Sequence, residues 1–301
     1  MNGEQPARVL VSYGNTGVVE LPDGRQLECR FRRSVGRPYC GDRVRLAEAD
    51  QGAAMVDEIL PRDNEFMRAG PNGRKQTIAA NLDQVAIVVA PVPEPSRDLL
   101  ERYLVAVHSL RTRPLIVLNK AERMADAALA DHSPLHRLGA YEALGYTVLR
   151  TSCKGPPGIE TLPPALQAKT SILVGQSGVG KSSLVNALLP DLDLQTGELS
   201  RVTGKGTHTT TTTIMYRLPC GGRLIDSPGV WEYGLWPMSG EELAAGFVEF
   251  RPHAGRCRFN DCRHAGEPGC AIREAVEAGD ILTWRYESYR RLLQQAGAGA
   301  R

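Results

Sequence analysis

The stretch GQSGVGKSS, residues 175–183, fits the pattern G-x-x-x-x-G-K-[ST] and lies between an apolar run, SILVGQ, and a helix-forming one, KSSLVNALL. No other feature restricts the fold as much. Such a loop needs a strand to deliver the chain and a helix to carry it away, which commits the surrounding residues to a sheet covered by helices. Gly175, Gly178 and Gly180 let the backbone bend until its N–H groups face an anion. Lys181 adds charge toward the outer phosphate oxygens, and Ser182 offers a hydroxyl to Mg²⁺. The helix that follows turns its positive end to the same anion. The candidate phosphate-binding residues are therefore Gly175, Gln176, Ser177, Gly178, Val179, Gly180, Lys181, Ser182 and Ser183. A Gly-rich turn with an incidental lysine is the plain alternative, and the strand–helix setting argues against it.

Three further segments suit a nucleotide site. VLNKAE (117–122) ends an apolar run with Asn119, Lys120 and Glu122. A carboxylate there can accept from the N1–H and 2-amino groups of guanine, whereas adenine would leave the acid buried and unpaired. The lysine stem can pack beside the base. TSCKG (151–155), with Ser152, Cys153 and Lys154, ends the next apolar run and can offer backbone N–H to the guanine carbonyl. DSPG (226–229) follows GRLI, so that Asp226 can hold Mg²⁺ through water and the Gly229 N–H can meet a γ-phosphate. Each is weak alone. Together they read base, base, phosphate, switch, a cyclic permutation of the usual order. A sheet depends on which strands lie side by side, not on where the chain begins.

Around these motifs the chain divides into three. Residues 1–66 carry short alternating stretches broken by Gly, Pro and Asp turns, predicting an OB-type β-barrel. Residues 67–238 alternate buried strands with helices, predicting a mostly parallel α/β sheet covered on both faces. Residues 239–301 are predicted to be helical around a Cys/His-rich loop. Ser96, Ser133 with Pro134, and Asp280 are the expected helix starts, with Gly145 closing the second of these helices.

Many nucleotide hydrolases place a Gln after the switch glycine to orient water. Here Val230 stands there, and GKGTHTTTTT (204–213) offers His208 as the candidate catalytic group. The magnesium set is then Ser182, Asp226 and one of Thr209 or Thr210. CRFNDCRHAGEPGC places Cys257, Cys262, His264 and Cys270 at a spacing suited to a closed, structural tetrahedral Zn²⁺ site, with His253 an inferior fifth candidate. Cys29, Cys40, Cys153 and Cys220 are scattered and read as packing thiols. Net charge is only +2, with 36 basic and 34 acidic residues, so the whole chain does not announce a nucleic-acid partner. Locally, residues 29–45 concentrate Arg30, Arg32, Arg33, Arg37, Arg43 and Arg45 with Phe31 and Tyr39, which suits phosphate contact and base stacking on a barrel face. Arg256, Arg258 and Arg263 form a second basic group. The opening residues have no basic flank before an apolar core, and VAIVVA (85–90) is too short to span a bilayer, so a soluble cytoplasmic monomer is expected.

With this order of loops, and with GQSGVGKSSLVNALLP, HTTTT, DSPGV and the Cys-x4-Cys-x-His-x5-Cys segment, the chain closely resembles the family of ribosome small subunit-dependent GTPase A. The resemblance covers nearly the whole sequence. It implies a circularly permuted, Mg²⁺-dependent GTPase that acts late in maturation of the small ribosomal subunit. It further implies binding to rRNA near the decoding centre, stimulation by that particle, and release on hydrolysis. The family's catalytic histidine falls on His208 and its zinc ligands on Cys257, Cys262, His264 and Cys270. Glu122 departs from the family's commoner Asp. Two other readings stay open at this level: an RNA-binding scaffold with a structural nucleotide site, and a P-loop ATPase of other purpose.

Overall fold

The structure is a computed structural model that describes residues 6–47, 54–69, 75–192, 195, 213–227 and 238–298. Five short strands open the chain: β1 (Ala7–Tyr13), β2 (Thr16–Glu20), β3 (Gln26–Phe31), β4 (Arg43–Ala47) and β5 (Ala54–Ile59). They close into a barrel in the order β1-β2-β3-β5-β4, with β4 returning to β1 and β3 running parallel to β5. Alternation decides what points inward. In β3, Cys29 and Phe31 are buried while Glu28 and Arg30 face out, and Val9, Val19, Val44 and Val56 complete the barrel core. Phe31 is thus a core residue, not a stacking platform. A Cβ on Gly17 would sit 2.6 Å from its ring, so the glycine makes room for it.

A separate hairpin, β6 (Glu65–Ala69) and β7 (Lys75–Ala80), leads out of the barrel. The central sheet follows: β8 (Gln84–Val89), β9 (Arg113–Leu118), β10 (Thr147–Arg150), β11 (Thr170–Val174), β12 (Ile214–Arg217) and β13 (Arg223–Asp226). Its order is β10-β9-β8-β11-β13-β12, parallel except for β12. Every residue of β8 is buried, as a parallel strand covered on both faces requires. Helices α1 (Leu99–Ser109), α2 (Leu138–Ala143), α3 (Leu162–Leu166) and α4 (Lys181–Leu188) belong to this part of the chain.

The barrel is joined to the sheet. β1 pairs with β12 through Val11 and Ile214. Glu20, almost fully buried at the end of β2, accepts from Arg217 Nε at 2.5 Å and Arg223 Nη2 at 2.7 Å. Burial alone would raise this carboxyl, but the two guanidiniums hold it below its ordinary value.

The C-terminal helices are α5 (Gly240–Ala245), α6 (Ala271–Ala278) and α7 (Thr283–Ala298). Helix α5 starts on a capping box, Ser239 with Glu242. Of the three expected helix starts, Ser133 with Pro134 stands where expected and the other two do not. Asp98, not Ser96, precedes α1, and Ser96 contributes only its carbonyl. Ser133 makes no side-chain cap, and its segment begins as a 3-10 turn. The chain enters α7 at Leu282, whose carbonyl accepts from Arg285 and Tyr286, so Asp280 stands too early. Among the described residues no helix is long and apolar enough to cross a membrane.

Helix α7 docks along α1 through charge. Arg291 grips Asp98 with Nε at 2.9 Å and Nη2 at 2.8 Å. Arg285, 1 % exposed, donates to Glu249 at 2.5 and 3.1 Å and reaches Glu101 at 3.5 Å. Its guanidinium also lies 4.5 Å from the Phe247 ring centre. Tyr141 donates its hydroxyl proton to Glu101. Removing one partner of such a buried set strands the others. Arg285→Met is therefore expected to destabilise the fold by about 3–5 kcal/mol in urea denaturation. An unchanged unfolding midpoint would contradict this anchoring.

Candidate nucleotide site and metal centre

In a parallel α/β sheet, ligands collect beyond the carboxyl ends of the strands. Here those ends carry the motif residues. β9 delivers Asn119, β10 delivers Thr151 and Ser152, β11 delivers Gly175, and β13 ends at Asp226. Because β9, β8, β11 and β13 run side by side, segments far apart in the chain meet at one edge.

The meeting is direct. The buried Asn119 amide donates from Nδ2 to the Val179 carbonyl at 2.9 Å, and its Oδ1 accepts from Thr151 Oγ1 at 3.2 Å. Lys120 takes a left-handed backbone conformation (φ 55°) that throws its side chain across the phosphate loop. Its Nζ donates to Gly178 O at 2.6 Å and to Val92 O at 2.8 Å. Gly180 has φ 96°, and a Cβ there would lie 2.4 Å from Asn119 Nδ2. Close approach and positive φ both demand glycine. Gly175 meets the same limit, since its Cβ would fall 2.2 Å from Val88 O.

Lys181 begins α4 and donates to Gly175 O at 2.7 Å and Gln176 O at 2.8 Å. Burial pulls its pKa down and the Asp226 carboxylate pulls it back up, with the net shift downward. Asp226 shows the reverse: burial raises its carboxyl and Lys181 opposes, with the net shift upward. Each of the two groups thus lies within reach of the other's charge. Ser177, Ser182 and Ser183 are exposed at the loop and the helix start, while Val179 is buried beneath them. Ser182 and Asp226 supply hard oxygen donors of the kind Mg²⁺ prefers.

The base-reading side is shaped by its own loop. Ser152 Oγ accepts from the N–H groups of Lys154 and Gly155, and Ala121 N–H donates to Thr151 O. Glu122 lies in a 3-10 turn, and its Oε2 is buried with no hydrogen-bond partner among the described residues. A purine presenting two adjacent N–H donors would satisfy it. Cys153 is exposed beside it, its thiol raised by partial burial and then by the Glu122 charge. At the other end, Thr213 Oγ1 and Ser227 Oγ lie 2.9 Å apart, tying the start of β12 to the end of β13. His208, Thr209, Thr210, Gly229 and Val230 lie outside the described residues.

The second cluster sits between the Val248–His253 turn and α6. His264 Nδ1 lies 3.5 Å from Cys257 Sγ, 3.6 Å from Cys262 Sγ and 3.4 Å from Cys270 Sγ. Tetrahedral Zn²⁺, with bonds of roughly 2.3 Å to sulfur and 2.0–2.1 Å to nitrogen, would separate these atoms by about 3.5 Å. The four ligand atoms all lie within 4.8 Å of one another, so the donor set fits the ion. His253 is not among them. Second contacts hold the loop: Ala271 N–H points to Cys257 Sγ, and Tyr286 and Tyr289 hydroxyls donate to His264 O and Arg263 O. Burial would raise the Glu267 carboxyl, but N–H groups including those of Arg263, Ala265 and Gly266 bring it down to about 2. Sequence reasoning missed these tyrosines; Tyr286 and Tyr289 read only as part of a helical pattern.

On the barrel, Arg30, Arg32, Arg33 and Arg37 are exposed. Arg32 pairs with Asp57 at 2.7 Å, Arg43 with Asp63 and Arg45 with Glu58. Arg30, Arg33 and Arg37 have no acidic partner among the described residues, and Arg37 lies over the Tyr39 ring at 5.7 Å.

Comparison with known proteins agrees with this geometry. The model of the family described as RsgA GTPase matches residues 59–236. The protein named small ribosomal subunit biogenesis GTPase RsgA from Pseudomonas aeruginosa (strain UCBPP-PA14) is 43% identical over 290 residues, covering 96% of this chain and 85% of that protein. Its namesake from Ectopseudomonas mendocina (strain ymp) is 45% identical over 294 residues, with the same two coverages of 96% and 85%. Among solved structures, YjeQ from Thermotoga maritima superposes with a TM-score of 0.76 at 30% identity, covering 97% of this chain and 98% of that one. YloQ, titled a circularly permuted GTPase, superposes with a TM-score of 0.75 at 27% identity, covering 98% and 96%.

Gly180→Ala is expected to push Asn119 off the Val179 carbonyl and strain the loop by about 1–2 kcal/mol, weakening guanine-nucleotide binding roughly tenfold. Calorimetric titration checks this, and wild-type affinity would contradict it.

Proposed function

The chain belongs to the RsgA GTPase family, and from that premise we propose that it hydrolyses GTP to GDP and phosphate in late maturation of the small ribosomal subunit. It holds rRNA in its GTP state and leaves on hydrolysis. The observation that carries the reading is the Asn119 amide bound to the phosphate loop at Val179 O, which places base recognition and phosphate recognition on one ligand.

The residues divide the work. Glu122 accepts from the guanine edge, and an adenine there leaves its buried oxygen unpaired. Loop N–H groups and Lys181 hold the phosphates. Mg²⁺, when bound, neutralises charge developing on the phosphate oxygens; Ser182, Asp226 and one of Thr209 or Thr210 would hold it. With Val230 in place of a water-orienting Gln, His208 positions the attacking water as a neutral imidazole. The barrel is OB-type, and with Arg30, Arg32, Arg33 and Arg37 it meets rRNA phosphates. The domains are taken as 1–66, 67–238 and 239–301. Cys257, Cys262, His264 and Cys270 hold one structural Zn²⁺ that stiffens a loop with little core of its own. The protein works as a cytoplasmic monomer.

Nucleotide state has a described route to the barrel. β12 and β13 leave the site bound to each other at Thr213 and Ser227, β12 pairs with β1, and both strands bind Glu20. A shift at Asp226 therefore moves the surface that carries the arginines.

The deciding experiment measures GTP hydrolysis with and without isolated small ribosomal subunits. Subunits are expected to raise the rate, and His208→Ala is expected to bind GTP normally while losing about 10²–10⁴-fold in turnover. Equal rates with and without subunits would remove the ribosomal assignment. Full turnover by His208→Ala would remove the histidine's role.

A further inference from the structure

Phe259 lies between the metal-cluster residues Cys257 and Cys262, and its side chain is 43% exposed, an unusual place for a large apolar ring. Single exposed rings are ordinary on protein surfaces. Two features set this one apart. It borders a cleft of about 620 Å³ that includes the metal-cluster residues Cys257, Cys262 and His264 and is lined also by Phe250, Arg251 and Arg263. The same loop carries three exposed arginines, Arg256, Arg258 and Arg263, with no acidic side-chain partner among the described residues. Arg258 lies 5.5 Å from the ring centre.

The backbone that carries the ring is held before any ligand arrives. The Phe259 carbonyl accepts from Cys262 N–H, Arg258 N–H donates to Gly269 O, and Arg263 O accepts from Tyr289. A contact group already fixed by its loop loses little entropy on binding. The charges sort the cleft further. Glu241 and Asp261 also line it. Carboxylates repel a phosphate but accept from the N–H groups of a base. The arginine side therefore suits the phosphate backbone, and the cleft suits the base.

We propose that Phe259 is a stacking platform for one unpaired nucleobase of single-stranded RNA, with Arg256, Arg258 and Arg263 on the adjoining phosphates. This rests on the reading above that the partner is RNA, and it names a contact point separate from the barrel. Duplex RNA cannot use such a platform, because its bases are stacked within the helix.

The test is fluorescence anisotropy of the full chain, purified with zinc, against a labelled single-stranded RNA and a labelled RNA duplex. Phe259→Ala is expected to weaken single-strand binding roughly 5- to 150-fold, with duplex binding and the salt slope unchanged. Phe259→Trp should restore the affinity. Arg258→Gln should lower the magnitude of the single-strand salt slope by about 0.7, the signature of one lost phosphate contact. Retained zinc and GDP binding in each variant controls for folding. Wild-type single-strand affinity in Phe259→Ala overturns the stacking proposal and leaves the RNA reading standing. An equal loss on duplex also overturns it, as does failure of Phe259→Trp to restore binding. Absence of RNA binding by the wild-type chain overturns both.

Discussion

A single side-chain amide holds the molecule's chemistry together. Asn119 donates to Val179 O, sixty residues on in the chain, and accepts from Thr151. Three loops that could each fold as an ordinary strand end become one wall because this amide is buried and must be satisfied. The strand order β9-β8-β11-β13 makes the contact possible, and it explains why the base-reading motif can precede the phosphate loop. Cutting the chain elsewhere leaves the neighbours in the sheet unchanged. The glycines follow from the same contact: Gly180 lacks a side chain because Asn119 occupies the space.

The outer parts are fastened to this wall in different ways. The barrel extends the central sheet through β1 and β12, and Glu20 adds two short charge-assisted bonds at the seam. Its connection therefore runs through β12 and its neighbour β13, the strand that ends at Asp226. The C-terminal helices attach to α1 by Arg285 and Arg291. A buried arginine between two glutamates resists sliding, because any shift leaves a charge unpaired in low dielectric. The Cys/His loop is held to this part by the Tyr286 and Tyr289 hydroxyls, which donate to His264 O and Arg263 O. One attachment continues the sheet that ends at the candidate site, and the other is a buried set of ion pairs.

Much of this was legible in the residue order, and the misreadings have physical causes. The phosphate loop, the Asn-Lys pair and the Cys/His cluster are short-range patterns whose spacing is set by the ligand. The arrangement of β8 to β13 followed from continuous apolar runs. Helix starts were less secure. Ser96 and Asp280 have capping chemistry, but the helices begin elsewhere, and Ser133 takes the N-cap position without a side-chain bond, while the Ser239–Glu242 box was passed over. Phe31 looked like a stacking ring beside arginines, yet strand alternation turns it into the barrel core. Arg285 carried no signal in the sequence. Nothing local shows that Glu101 and Glu249, from distant segments, surround it.

The account's central claim is that the base-reading and phosphate-reading loops enclose one guanine nucleotide. Cys153 gives a direct probe, since its thiol is exposed beside Glu122 on the base side. The measurement is its alkylation rate, followed by mass spectrometry at that cysteine alone, with saturating GDP, with the same concentration of ADP, and with neither. The account predicts strong protection by GDP and none by ADP. Equal rates in all three conditions, or equal protection by both nucleotides, would contradict it.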